Sequence, residues 1–147
     1  MPVWGVGALV SALGVGGTPS FAYSEAIGAV PITLTPAARD DPLLADLPTT
    51  FDGFVGHKEG VLEPPAACTV LARSRKCAQM LRVGRNVYAT QFHPELDPES
   101  RALRIDIYRH ASYCAPDEAD TLIANACQQT VTEPVKILRQ FVQRYQR

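Results

Sequence analysis

The chain has 147 residues, with 14 Lys and Arg against 15 Asp and Glu and a formal net charge of −1. That is an ordinary single-domain length, able to bury a core. Balanced and interspersed charge excludes a nucleic-acid partner held on a basic face, and the apolar run at residues 3–10 is too short to cross a bilayer.

That first run lacks a preceding basic segment, so it reads as a buried helix punctuated by glycine and not as a signal peptide. A short helix is predicted over residues 8–13, ended by Gly14, with a glycine turn through Gly17. A strand follows at 29–34. Asp40-Asp41-Pro42 then opens a helix to Leu47, since acidic residues and Pro favour a first turn. Strands are predicted at 50–55, 69–74, 78–83 and 86–92, with Gly84 in the tight turn between the last two. Asp97-Pro98-Glu99-Ser100 starts a helix that runs to about Tyr113, with apolar positions at Leu103, Ile107 and either Ile105 or Tyr108. Pro116-Asp117-Glu118 begins another to about Gln128, and Thr132-Glu133-Pro134 caps a last one. In that last helix Leu138, Phe141, Val142 and Tyr145 fall on one face. Strands mixed with helices in this way predict an α/β layered domain.

The chemistry concentrates at the end of the strand ending in Gln91-Phe92-His93-Pro94-Glu95. In an extended segment residues two apart point to one side, so Glu95 can be held beside the ring of His93. A carboxylate that orients an imidazole is the base half of a triad for acyl transfer. Taken alone, the same tripeptide also fits a solvated loop or a surface ion pair.

Four segments in order make the chain resemble the C-terminal part of class I glutamine amidotransferase domains, in the GMP-synthase-like group. Gly5-Val6-Gly7-Ala8-Leu9 followed by Leu13-Gly14-Val15-Gly16-Gly17 is similar to the run out of the family's nucleophile elbow. Glu25-Ala26-Ile27-Gly28 leading into Val30-Pro31-Ile32-Thr33-Leu34-Thr35 is similar to the next strand. Phe51-Asp52-Gly53-Phe54-Val55-Gly56-His57-Lys58-Glu59 stands where the family carries a loop lining its glutamine pocket. Gln79, Gly84 and the Gln91 to Glu95 segment match the closing hairpin and the His-Pro-Glu signature, the most specific of the four.

The resemblance implies a partial flavodoxin-like three-layer fold with a C-terminal helical extension, divided into residues 1–113 and a helical pair at 114–147. It implies a glutaminase that hydrolyses glutamine to glutamate and passes ammonia to a synthase. His93 would be general base and acid, Glu95 its orienter, the Trp4 amide an oxyanion donor, and Gly56, His57 and Lys58 the substrate pocket. The family's nucleophilic Cys falls at Val3, whose isopropyl group cannot form a thioester. Activity is therefore expected to be lost. None of Cys68, Cys77, Cys114 and Cys127 sits at a strand-to-helix elbow to replace it.

A family match that begins at residue 3 leads to the expectation of a domain lacking the strands before its elbow, a gene fragment or a wrongly assigned start. Loss of neighbours from a parallel sheet would leave exposed edges, hence self-association or marginal stability. A non-catalytic module binding glutamine weakly or a partner subunit is the second reading, and a γ-glutamyl-hydrolase-like remnant the third. No cofactor or metal is expected, since His110 and Cys114, four apart on a predicted helix, make a poor site of only two ligands. Without paired spacing or a secretory signal, the four cysteines are expected to be reduced thiols of a cytoplasmic protein.

Overall fold

A computed structural model describes residues 18–110, 114–115 and 117–146. Within them lie β1 (Glu25–Leu34), β2 (Thr50–His57), β3 (Cys68–Arg73), β4 (Ala78–Val83), β5 (Val87–Thr90), α1 (Pro98–Tyr108), α2 (Ala119–Gln128) and α3 (Pro134–Tyr145). The helix predicted over 8–13 and the glycine turn after it lie outside the described residues.

The five strands form one sheet in the order β2-β1-β3-β4-β5. Every described pair is antiparallel, including the hairpin predicted around Gly84. For β3, β4 and β5 the reason is connection length. Parallel neighbours need a crossover of roughly a dozen residues or more, whereas β3 and β4 are joined through residues 74–77 and β4 and β5 through 84–86. Gly84 takes φ 57° in the second of these turns, a left-handed conformation that glycine adopts without steric cost.

The sheet curls. β1 pairs with β2 along most of its length but meets β3 only at Thr33 and Leu34. At the far end of the order the chain leaves β5 and turns back on β2, where the His93 N–H donates to the Phe54 carbonyl at 2.8 Å. Phe92, fully buried beside that bond, packs edge-on against Phe51 with ring centroids 5.8 Å apart. Gly53 makes the approach possible, since a Cβ there would lie 2.5 Å from Ile32 Cδ1 and 3.4 Å from Phe92. The main core gathers Ile32, Phe51, Val55, Leu71, Met80 and Phe92 with Ile137 from α3.

No helix forms over residues 40–47, contrary to the sequence reading; they make a succession of turns. Asp41 explains the difference. Its carboxylate is buried, accepts from the Leu43 N–H at 3.1 Å, and receives Arg82 Nη1 at 2.7 Å and the Tyr88 hydroxyl at 3.3 Å. A side chain bonded to the backbone two residues on favours a turn over a helix. Leu43 and Leu44 then enter the core from that turn.

Helix α1 starts as predicted, with the Asp97 side chain accepting from the Ser100 N–H at 2.7 Å and Pro98 in its first turn. Its buried face agrees with the expected apolar positions only at Ile105. Arg101 and Ile105 are buried, while Leu103 and Ile107 are 59% and 63% exposed. Arg101 donates from Nη2 to the Val55 carbonyl at 2.5 Å, with its guanidinium 5.6 Å from the Phe54 ring centroid. Gly56 leaves room for it, because a Cβ there would stand 3.0 Å from Nη2. Helix α2 joins this layer, with Ala119 and Ala126 packed on Ile105 and Ile27.

Helix α3 buries Pro134 and Ile137. Its predicted apolar face is only partly covered: Phe141 stands edge-on to Tyr88 and the Tyr145 hydroxyl donates to Asn86, but Val142 is half exposed. No described helix is long and apolar enough to cross a membrane.

Replacing Arg101 by Ala opens a cavity and strips the Val55 carbonyl of a charged donor, an expected loss of about 3 kcal/mol. The urea midpoint should fall at unchanged slope, whereas Leu103→Ala should stay within about 0.5 kcal/mol of the parent protein.

Candidate functional site

His93 and Glu95 meet as expected, but in a turn beyond the end of β5 and not in the extended segment assumed from the sequence. Nδ1 of His93 lies 2.7 Å from Glu95 Oε1. Arg104, one and a half turns into α1, brings Nη1 to 3.3 Å from the same ring nitrogen and 3.7 Å from the same carboxylate oxygen. A ring nitrogen cannot donate to a carboxylate and accept from a guanidinium together. The shorter, charge-assisted contact decides it, so Nδ1 carries the proton and Arg104 acts on Glu95. When the ring is neutral, its lone pair is then on Nε2, the tautomer a general base requires.

Electrostatics follow the geometry. Partial burial works against the charged form of Glu95, but the His93 hydrogen bond, with the charges of His93 and Arg104, holds its carboxyl below the usual range. Arg104 had no signal in the sequence, because only the packing of α1 beside the strand end brings it here.

The pocket residues proposed from sequence are placed at and just beyond the end of β2. Gly56, His57 and Lys58 line a cavity of about 310 Å³ together with Glu25, Cys114 and Glu118. Gly56 also backs onto Arg101, and His57 turns inward. Its Nε2 lies 3.2 Å from the Tyr23 carbonyl, 3.4 Å from Glu25 Oε2 and 3.6 Å from Cys77 Sγ. Burial lowers its pKa below 6.5 despite the opposing charge of Glu25. Burial and Glu25 push the Cys77 thiol up to about 11. A thiol so held is a poor nucleophile. Among the described residues no hydrogen bond or ion pair joins His57 to the His93 pair.

Val3 and Trp4 lie outside the described residues. His110 stands beyond the end of α1, which closes at Tyr108. All four cysteines are free. In the turn between β3 and β4, Arg73 donates to the Leu62 carbonyl and Lys76 to the Ser24 carbonyl, tying that turn to neighbouring chain.

No family model matches the chain. It is similar to the GMP synthase [glutamine-hydrolyzing] of Vibrio atlanticus, with 30% identity over 109 residues, or 71% of the chain. The protein of that name from Nitratidesulfovibrio vulgaris is 29% identical over 143 residues, or 94% of the chain. The chain belongs to the class I glutamine amidotransferase family. It spans 20% and 27% of the length of those two relatives. Among solved structures, a glutamine amidotransferase of Thermotoga maritima superposes with a TM-score of 0.69 at 20% identity, covering 93% of this chain and 57% of that one. One from Methylobacillus flagellatus gives 0.62 at 17% identity, covering 96% and 60%. At these identities the structural likeness is one of fold, and that fold is a partial amidotransferase domain of mixed α/β type.

A depressed folded-state pKa at Glu95 stabilises the fold above the ordinary value of 4.5, and that contribution disappears as pH falls through the lower folded value. Glu95 is half exposed, so the effect stays below about 1 kcal/mol. The stability gap between the parent protein and Glu95→Gln, read from urea midpoints, should be widest above pH 4.5 and close toward lower pH.

Proposed function

We propose that this protein descends from a glutaminase that hydrolyses glutamine to glutamate and ammonia for transfer to a synthase, and that its own hydrolysis is negligible. The observation that carries the reading is the 2.7 Å contact between His93 Nδ1 and Glu95 Oε1. It supports the tautomer in which Nε2 would take a proton from a thiol and return it to the departing ammonia.

That reaction needs a sulfur to attack the side-chain amide carbon and hold the glutamyl group as a thioester, which water then cleaves. Val3, where the resemblance places the sulfur, offers no lone pair. Loss of the nucleophile from a catalytic triad costs on the order of a million-fold in kcat. Cys77 is no substitute, since its thiol is held protonated and lies beside His57 and not beside His93.

A second reading, a non-catalytic module, is favoured by the cavity lined by Gly56, His57 and Lys58, which stays available to glutamine whatever happens to the thioester chemistry. An acceptor synthase is the partner that fits either reading, as the relatives' names join a synthase to glutamine hydrolysis.

Ammonia release from glutamine by the purified chain should not exceed that of a His93→Ala variant, and release above that control would overturn the loss of activity. Calorimetry with glutamine separates the two readings: saturable heat without turnover supports the binding module, and its absence supports a remnant.

A further inference from the structure

We infer that Glu25, His57 and Cys77 form a binding site for a divalent transition metal ion of the zinc type. The three ligands come from the start of β1, the end of β2 and the turn before β4. Glu25 Oε2, His57 Nε2 and Cys77 Sγ stand 3.4, 3.6 and 3.7 Å apart in the three pairings. A tetrahedral zinc ion, about 2.0 Å from nitrogen and oxygen and about 2.3 Å from sulfur, sets its donors about 3.3 to 3.5 Å apart. The three side chains already hold the face of such a tetrahedron to within a few tenths of an ångström.

The arrangement differs from a catalytic Cys-His-Glu triad at one atom. A triad places the acid on one ring nitrogen and the thiol on the other. Here both converge on Nε2, and the buried Nδ1 has no hydrogen-bond partner among the described residues. The Tyr23 carbonyl is also 3.2 Å from Nε2, so the fourth position falls to that oxygen or to water. His57 as a neutral imidazole, Glu25 as a carboxylate and Cys77 as a thiolate balance a dication.

The surroundings fit a prepared site. Gln79, fully buried, donates from Nε2 to Glu25 Oε2 at 2.5 Å and reaches Ser74 Oγ at 3.2 Å and Cys77 Sγ at 3.5 Å, while its Oε1 lacks a partner among the described residues. Such contacts orient ligands and tune a bound metal. Gly60 keeps the space clear, since a Cβ there would come within 3.0 Å of Cys77 Sγ and 2.7 Å of the Tyr23 carbonyl. Access comes from the cavity that Glu25 and His57 line. On binding, the ion forms a bond to sulfur and the thiol proton leaves to the buffer.

Titration of the reduced, metal-stripped protein with Co(II) tests the site, and Zn(II) competition checks that the same site is read. One equivalent should produce a thiolate-to-cobalt charge-transfer band and the strong visible bands of tetrahedral cobalt. Cys77→Ser should abolish the charge-transfer band, and His57→Gln should weaken binding tenfold or more, while Cys114→Ser, on the same cavity, leaves both unchanged. Far-ultraviolet circular dichroism identifies any variant that fails to fold, and the remaining variant then decides. No cobalt bound by the parent protein, or a charge-transfer band that survives Cys77→Ser, would overturn the site. The readout is independent of glutamine hydrolysis.

Discussion

The bond from the His93 N–H to the Phe54 carbonyl returns the last strand of the sheet order to the first, and both the core and the site depend on that return. An open antiparallel sheet of five strands would leave β2 and β5 as separate edges, each with unpaired backbone groups. Curling brings them together at one point, beside Phe92 and Phe51. Because Phe92 is drawn inward there, the next residues, His93 to Glu95, emerge on the rim beside α1. The imidazole is thus positioned by its own main chain, and its neighbours by the elements packed around that crossing.

Among the described residues three charged groups are buried, and each joins distant parts of the chain. Asp41 takes Arg82 and Tyr88, fastening the turns after β1 to β4 and β5. Arg101 reaches the Val55 carbonyl and fastens α1 to β2. Glu25 collects Gln79, Cys77 and His57, fastening the start of β1 to the end of β2 and the start of β4. Burying a charge is costly unless it is paired or hydrogen-bonded. These contacts offset that cost while specifying which segments meet, a role that apolar packing alone fills less selectively.

The two histidines that the sequence singled out have opposite settings. His93 lies on the rim, oriented through Nδ1 by a half-exposed carboxylate. His57 turns inward and is largely covered, and two side chains and a carbonyl meet at its Nε2. The first geometry suits proton transfer to a group arriving from outside, and the second suits a ligand held between fixed donors.

The sequence by itself determined the elements whose signals are local. The glycine turn at Gly84 located the hairpin of β4 and β5, Asp97 and Pro98 announced α1, and the two-residue spacing brought Glu95 to His93, because each of these depends on neighbours within a few positions. Where a side chain is used at long range, sequence pattern misled. Asp41 read as a helix start because its bonds to Arg82 and Tyr88 span about forty positions, and Leu103 and Ile107 read as the inner face of α1 because nothing local shows that an arginine is buried there instead. The antiparallel curl, the approach of Arg104 to Glu95, and the meeting of Glu25, His57 and Cys77 were decided by tertiary structure alone. Those donors are scattered across three segments with no spacing motif, and only the packing of the sheet on itself sets the distances between them.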